Sequence, residues 1–325
     1  MRKSRFSKTA LVVALGILAT CARQAAAQKV TLVAVGDICL AKGVEQKMRT
    51  KGMNYPFAAL QNQLRKADIT FGNLECCLAT SGKLVPKKYN FRGRPENVKA
   101  LKAAGFKVVS LANNHSLDYG KDALAETIVH VRSAGIVPVG AGMTIQGAHA
   151  LRVVNVKGLR VGFLAYLGLF PPVVPLTANK PAIAMAELAA VKRDVEAARK
   201  SVDILIVSMH AGIEYTFTHA ARQESIAHTA IDAGADMVIG HHPHVVQDKE
   251  IYKNRPIFYS LGNFVFDPSP TFLRDGGKRW SAMIVATLEK GKMPDAHLVD
   301  LRIVDRQPRF ANRSSAAVVE KVLHP

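Results

Sequence analysis

Short apolar runs that each end in a cluster of polar residues recur along this chain, and this pattern most constrains its fold. The run 237–239 has the length of a buried strand, and a glycine ends it. His241, His242 and His244 follow, and Pro243 restricts the backbone between the last two. A turn at the strand end would aim both imidazoles at one point. A polar surface loop would explain one such cluster, but its recurrence after other apolar runs favours a shared binding site.

Between residues 30 and 265, the apolar runs typical of strands alternate with segments whose apolar residues have helical spacing. This alternation predicts the α/β class with mainly parallel strands. Ligands of such sheets bind beyond the carboxyl ends of the strands. The polar residues that follow the runs are therefore expected to share one crevice. They are Asp37, Asn73, Glu75, Asn114, His115, His210, His242 and His244.

The residue types in this set indicate a divalent metal site. Carboxylates, amides and imidazoles together favour Zn, Mn or Fe, whereas Ca would prefer oxygen ligands alone. The candidates outnumber the four ligands of one tetrahedral ion, so one or two ions are expected. Two ions about 3.5 to 4 Å apart can activate a water molecule for attack. A nearby histidine that is not a ligand could protonate the leaving group.

Six short segments carry these residues: GDI at 36–38, GNLE at 72–75, LANNHSLDYG at 111–120, HAGIEY at 210–215, GHHPH at 240–244 and SLGNF at 260–264. Together they resemble the CapA family of poly-γ-glutamate capsule biosynthesis proteins. That family is similar to the calcineurin-like metallophosphoesterases. The resemblance therefore implies a metallophosphoesterase-like, four-layer α/β/β/α sandwich, which we place at residues 28–310.

The resemblance also implies a role for each candidate residue. Metal ligands are implied at Asp37, Asn73, Glu75, Asn114, His210, His242 and His244. His115 corresponds to the histidine that assists the leaving group, and is the predicted catalytic residue. The chain departs from the phosphoesterase pattern at two places. Asn73 and Glu75 stand where those enzymes use aspartate, and Cys39 stands where they have a histidine.

Four further residues are candidates for substrate binding or for orienting the ligands. Arg92 lies in a basic segment and is a candidate for gripping a carboxylate or phosphate with two hydrogen bonds, although a solvated loop is an equal alternative. Asn263, in the last motif, is a second substrate-binding candidate. Asp118 and Glu214 are candidates for orienting ligand imidazoles, and helix or turn capping is the alternative.

The N-terminus is typical of a secretory signal peptide. Residues 1–27 combine a basic start, an apolar run and an Ala-rich cleavage site. A lipoprotein attached through Cys21 is the less favoured alternative, and no later stretch is long and apolar enough to span a bilayer. A periplasmic or secreted location is expected. We also predict a weakly ordered tail at 311–325.

Removing residues 1–27, which hold five basic and no acidic residues, lowers the net charge from +19 to +14. This excess favours an anionic partner. Nucleic acid is not expected as a partner, because the chain is expected to be exported. Three cysteines would remain, Cys39, Cys76 and Cys77. They are interpreted as small packing residues, with a bridge from Cys39 to Cys76 or Cys77 as the alternative.

These features lead to three functional hypotheses. The leading one is an exported, CapA-like, metal-dependent hydrolase or transferase that acts on an anionic polymer or a phosphorylated envelope precursor. The second is a phosphoesterase of small molecules. The third is a non-catalytic, polymer-handling subunit of an envelope synthesis complex that keeps a relict metal site.

Overall fold

The computed structural model of the protein describes residues 28–170, 173–267 and 280–323. The predicted signal peptide, including Cys21, lies outside these ranges. The strands are β1 (Val30–Ile38), β2 (Ile69–Leu74), β3 (Cys77–Leu78), β4 (Arg92–Gly93), β5 (Val108–Ser110), β6 (Val137–Val139), β7 (Ala141–Gly142), β8 (Arg152–Val156), β9 (Leu159–Leu167), β10 (Ala182–Ile183), β11 (Ile204–His210), β12 (Met237–His241), β13 (Lys249–Tyr252), β14 (Arg255–Phe258), β15 (Asn263–Val265), β16 (Trp280–Leu288), β17 (Asp295–Val304) and β18 (Gln307–Phe310). The α-helices are α1 (Lys42–Lys51), α2 (Gln61–Lys66), α3 (Val98–Ala104), α4 (Gly120–Ser133), α5 (Ile145–Ala148), α6 (Leu188–Arg199), α7 (Ala221–Asp232) and α8 (Arg313–Leu323). Two short 3₁₀ helices span Tyr55–Phe57 and Pro95–Asn97.

Two large sheets form the centre of the fold. The first has the order β18-β17-β16-β1-β2-β5-β6, and β15 also pairs with β1. The second has the order β13-β14-β12-β11-β9-β8. Strands β1, β2, β5 and β6 run parallel, as do β9, β11, β12 and β14. The predicted α/β class with parallel central strands is confirmed.

The buried apolar residues form three main hydrophobic clusters. One cluster lies between the sheets, where Phe71 of β2 stacks on Phe163 of β9 with ring centroids 5.7 Å apart. A second joins the outer face of the first sheet to α1–α4 and α8. The third joins the outer face of the second sheet to α6 and α7, through side chains such as Val195 and Ile226. The two sheets pack against each other, and helices cover the outer face of each sheet. The fold is therefore the four-layer α/β/β/α sandwich that the resemblance implied.

The C-terminal segment differs from the sequence prediction of a weakly ordered tail. Helix α8 begins at Arg313, and its residues Ser315, Val319 and Val322 are buried. Their spacing places them on one face of the helix, which packs beside Val299 and Leu301 of β17. The short amphipathic pattern was sufficient to dock the segment on the first sheet. Within the ranges that the structure describes, no helix has the length and apolar character needed to cross a bilayer.

Candidate metal centre

The candidate metal centre lies where the carboxyl ends of strands from both sheets converge. In the first sheet, Asp37 of β1 is in register with Asn73 of β2 and with Asn263 of β15. In the second sheet, His210 of β11 is in register with His241 of β12. His241 Nδ1 lies 3.4 Å from Asp37 Oδ1, across the two sheets. The predicted crevice at the strand ends is therefore present.

The close approach of β15 to β1 depends on a glycine. A Cβ atom added at Gly36 would lie 1.9 Å from the carbonyl oxygen of Gly262. The amide of the next residue, Asp37, donates a 3.0 Å hydrogen bond to that same oxygen. Any side chain at position 36 would separate the strands and displace the Asp37 carboxylate.

A turn after β12 carries His242 and His244, whose φ angles are positive, at 101° and 59°. Residues other than glycine rarely adopt positive φ angles, because this conformation costs about 1–3 kcal/mol per residue. The turn is held in place because the His242 amide donates a 3.3 Å hydrogen bond to Asp37 Oδ2. The two rings lie 6.0 Å apart. Both imidazoles therefore reach the same centre, as expected for a turn at the strand end.

Glu75 is the common member of two groups of side chains that could hold a metal ion. Its carboxylate oxygen and the ring nitrogens of His242 and His244 all lie within 4.8 Å of one another. A second group, Asp37, Glu75 and His210, meets the same limit. Glu75 Oε1 is 3.7 Å from His210 Nε2 and 3.9 Å from His244 Nε2.

The hydrogen bonding of Glu75 shows that these residues fit a metal ion. Glu75 is fully buried, and neither of its carboxylate oxygens has a hydrogen-bond partner among the described residues. Nδ1 of His242 is likewise buried and unpaired. Buried groups of this kind are costly unless something compensates them. A divalent cation would compensate the Glu75 carboxylate, and the chemistry of these groups suits Zn, Mn or Fe.

The electrostatics of the centre also suit a cation. Burial, together with the charge of Asp37, raises the pKa of Glu75 well above its ordinary value. Burial would raise the pKa of Asp37 too, but the imidazoles of His241 and His244, 3.4 and 3.5 Å from its oxygens, hold it well below its ordinary value. Burial lowers the pKa of His242 to about 3. His242 is therefore neutral at neutral pH, which is the form that binds metals.

The other two histidines among the predicted ligands, His210 and His244, differ in the direction of their pKa shifts. Burial and the neighbouring His242 lower the pKa of His210 well below its ordinary value. Burial also acts against the charge of His244, but the hydrogen bond and charge of Asp37 overcome it and raise the His244 pKa. Asp37 is thus the electrostatic partner of His244.

The two predicted asparagine ligands contact the ring of His210. Asn73 Nδ2 donates a 2.8 Å hydrogen bond to Asp37 Oδ1 and lies 3.2 Å from His210 Nδ1. Asn114 Oδ1 lies 2.8 Å from His210 Nε2. Asn73 Oδ1 in turn accepts a 3.1 Å hydrogen bond from Asn113 Nδ2. These amides hold the side chains of the candidate ligands in position.

His115, the predicted catalytic residue, lies at the edge of the centre. Its Nδ1 is 2.8 Å from Asp118 Oδ2, and its Nε2 is 3.8 Å from Glu75 Oε1. The Phe91 ring packs against it with a centroid distance of 4.3 Å. Burial lowers the His115 pKa although Asp118 acts in the opposite direction. Lys87 forms an ion pair with Asp118 and so balances its charge.

The remaining candidate residues occupy different positions around the centre. Asn263 Oδ1 lies 2.9 Å from His244 Nδ1, so Asn263 orients a predicted ligand. Arg92 is exposed, and its guanidinium lies 4.0 Å above the Tyr119 ring. Glu214 is exposed on the loop after β11, and it forms no hydrogen bond or ion pair with an imidazole of the described residues. Asp118 orients His115, as described above.

Sequence reasoning missed two residues of the centre. His241 is fully buried against Asp37, yet it was not among the predicted ligands. Asn113 bridges the motifs, because its Nδ2 bonds Asn73 and its Oδ1 accepts from the His115 amide. Their positions next to residues of the same type could have identified both of them from the sequence. His241 is the first of three clustered histidines, and Asn113 is the first of two adjacent asparagines.

The three cysteines are buried free thiols, as expected for packing residues. Cys76 Sγ accepts a 3.3 Å hydrogen bond from the Leu40 amide. Burial raises the pKa of Cys77 to about 12, which keeps this thiol protonated. The alternative of a bridge from Cys39 is not present in the structure.

Comparisons with known proteins agree with this architecture. Capsule biosynthesis protein CapA of Bacillus anthracis is 33% identical over 290 residues, covering 87% of this chain and 69% of that protein. PGA biosynthesis protein CapA of Bacillus subtilis (strain 168) is 33% identical over 284 residues, covering 86% of this chain and 73% of that protein. A hypothetical protein from Thermus thermophilus shares the fold with a TM-score of 0.52 at 19% identity, covering 83% of this chain and 99% of that chain. The family profile described as bacterial capsule synthesis protein PGA_cap matches residues 31–268, which include every residue of the candidate centre, and the chain belongs to this family.

Proposed function

We propose that this chain is an exported protein of capsule or poly-γ-glutamate synthesis that acts as a metal-dependent hydrolase or transferase. Family membership and the CapA relatives support the process. The composition of residues 1–27 supports export. One observation carries the catalytic part. The buried Glu75 carboxylate lies among imidazoles and beside the His115–Asp118 pair, and it has no hydrogen-bond partner among the described residues.

The residues that would hold the ion or ions are Asp37, Glu75, His210, His242 and His244. A divalent ion supplies Lewis acidity, which polarises an acyl or phosphoryl oxygen and makes water a better nucleophile near neutral pH. Asn73, Asn114 and Asn263 hold the ligand side chains in orientation. This support reduces the reorganisation needed at the moment of reaction.

His115 is the group that moves a proton. Asp118 accepts from Nδ1, so Nε2 is the nitrogen directed at the centre. Burial lowers the His115 pKa and so favours the neutral imidazole, whose Nε2 is then the nitrogen that can accept a proton at the centre. The Phe91 ring packed against the imidazole and the Asp118 carboxylate bonded to Nδ1 fix the orientation of His115.

The test is turnover by protein reconstituted with Mn²⁺ or Zn²⁺, using poly-γ-glutamate and an aryl phosphate as substrates. The His115→Gln variant should lower turnover by about 10²–10⁴-fold while retaining its metal. His149→Gln is the matched control, because His149 makes a similar 2.7 Å contact with Asp194 away from the centre. Activity of the control should be unchanged.

One result would overturn the catalytic part of the proposal. Full metal loading without turnover of any ester, phosphoester or amide would show a non-catalytic, polymer-handling subunit. Binding of poly-γ-glutamate that weakens steeply with added salt would then identify that role.

A further inference from the structure

A cavity of about 440 Å³ opens beside the metal centre. Its polar end is formed by Lys87, Asn114, Asp118 and His242, all of which contact or belong to the centre. Ligand cavities in proteins commonly range from about 300 to 1,000 Å³. The cavity is therefore large enough for part of a substrate whose reacting group lies at the metal ligands.

The rest of the cavity wall is apolar. It is built mainly by the loops that follow β9 and β11, which carry these residues to the carboxyl ends of the second sheet. The apolar wall consists of Leu117, Leu169, Phe170, Val173, Val174 and Ile213.

Three of these side chains are unusually exposed for their size. The exposed fractions are 94% for Phe170, 69% for Val173 and 61% for Ile213. Single exposed apolar residues are common, but a contiguous group that lines a cavity marks a binding surface. The apolar wall therefore meets an apolar part of a ligand.

The charge at the polar end indicates which part of the ligand lies there. Lys87 Nζ donates a 2.6 Å hydrogen bond to the Asn114 carbonyl oxygen and pairs with Asp118. Because Asp118 balances the charge of Lys87, the net positive charge at this end would come from the divalent ions held beside His242. An anionic group is favoured at this end, and an apolar chain is favoured along the wall.

We infer that the centre takes an anionic amphiphile, in which the group that meets the metal ligands is joined to an apolar chain along the wall. This inference rests on the proposed metal-dependent function and narrows its substrate class. The metal end and the apolar wall belong to one continuous cavity, so a single molecule fills both. The anionic head group is phosphate or carboxylate.

Calorimetric titration of the metal-loaded protein tests this inference. The probes are ethyl phosphate and decyl phosphate, with acetate and decanoate as the carboxylate pair, all below their micelle concentrations. In at least one pair, the long-chain probe should bind at least about tenfold more tightly, because the wall buries several CH₂ groups. The pair that shows the larger ratio identifies the head group.

The variants Ile213→Ser and Val173→Ser should each lower the long-chain advantage by about threefold or more, and leave the metal content unchanged. The matched control is Ile251→Ser, since Ile251 is 60% exposed on β13 and does not line the cavity. This control should keep the full ratio.

Equal affinity for short and long probes would overturn the inference and leave the proposed function intact. Failure of every probe to bind would overturn the inference too, and absence of bound metal would identify the proposed function as the part that failed. Ile213→Ser could instead weaken binding to phosphatidylcholine vesicles without changing the chain-length ratio. That outcome would also overturn the inference, because it would make the wall a membrane-docking surface.

Discussion

Polar side chains at the two ends of β11 and β12 differ in whether they have hydrogen-bond or ion-pair partners. At the carboxyl ends, His210 and His241 face Asp37 and Glu75, and several of the buried polar atoms there have no partner. At the amino ends, Asp203 and Asp236 directly precede the strands. Both of these carboxylates are fully occupied by cations and backbone amides.

At the amino ends, Asp236 and Asp203 form a network of ion pairs and hydrogen bonds, here called the amino-end network. Asp236 Oδ2 accepts from Arg199 at 2.5 Å and from the Leu205 amide at 2.8 Å, and its Oδ1 lies 3.3 Å from Arg255. Asp203 accepts from the Arg160 amide at 2.9 Å, and Lys290 lies 2.8 Å away.

The difference separates groups that stabilise the fold from groups that could hold a metal ion. The paired charges at the amino ends hold the strands and their loops together. The unpaired atoms at the carboxyl ends reduce stability until a cation binds. Substitutions at the two ends should therefore have opposite effects.

The largest expected effect is on metal binding. Asp37→Ala should weaken divalent-metal affinity by more than about 100-fold, because it removes a ligand and the partner of two histidines. Asp203→Asn, at the amino end, should leave the metal content unchanged. Elemental analysis of both purified variants measures this, and equal metal loss in the two would contradict the comparison.

At the opposite end, the expected effect is on stability. Asp236→Asn should lower the free energy of unfolding by about 2–3 kcal/mol, because Arg199 and Arg255 lose their common partner. Chemical denaturation at neutral pH measures the change. A neutral result would mean that the amino-end network contributes nothing to stability.

The pH dependence of the metal-free protein should sharpen the contrast. His242 has a folded pKa of about 3 against an ordinary value of 6.5, so between these values the unfolded chain binds a proton that the folded chain does not. Stability should therefore fall as the pH drops from about 6.5 toward 3, by about 1.4 kcal/mol per pH unit for this group. His242→Gln should reduce the slope of a denaturation series by that amount, and an unchanged slope would refute the assignment.

The smallest expected effect has the opposite sign. Glu75→Gln should raise the stability of the metal-free protein by about 1 kcal/mol, because it removes a carboxyl group whose ionisation burial opposes and that makes no hydrogen bond to the described residues. The same variant should bind metal poorly. Thermal unfolding with and without Mn²⁺ measures both effects, and loss of stability in the metal-free variant would show that Glu75 already has a stabilising role.

Much of the centre was predictable because its parts are local. An apolar run of strand length followed by a glycine and polar residues predicts where a strand ends, and this placed Asp37, His210 and His244 correctly at the carboxyl ends. The docking of α8 was missed, because its short amphipathic pattern does not reveal that Val299 and Leu301 lie beside it. Asn263 was expected to bind substrate, whereas its contact with His244 could not be read from the sequence.

The sequence by itself determined the strand–turn units, the residue types at their ends and the family to which they belong, since these depend on short-range patterns. Only the tertiary structure decided which of these residues meet. Asp37 and the His242 amide are 205 positions apart, and their contact exists because two sheets pack face to face. The same packing leaves Glu75 buried without a partner, and this property of the surroundings makes the cluster a candidate metal centre.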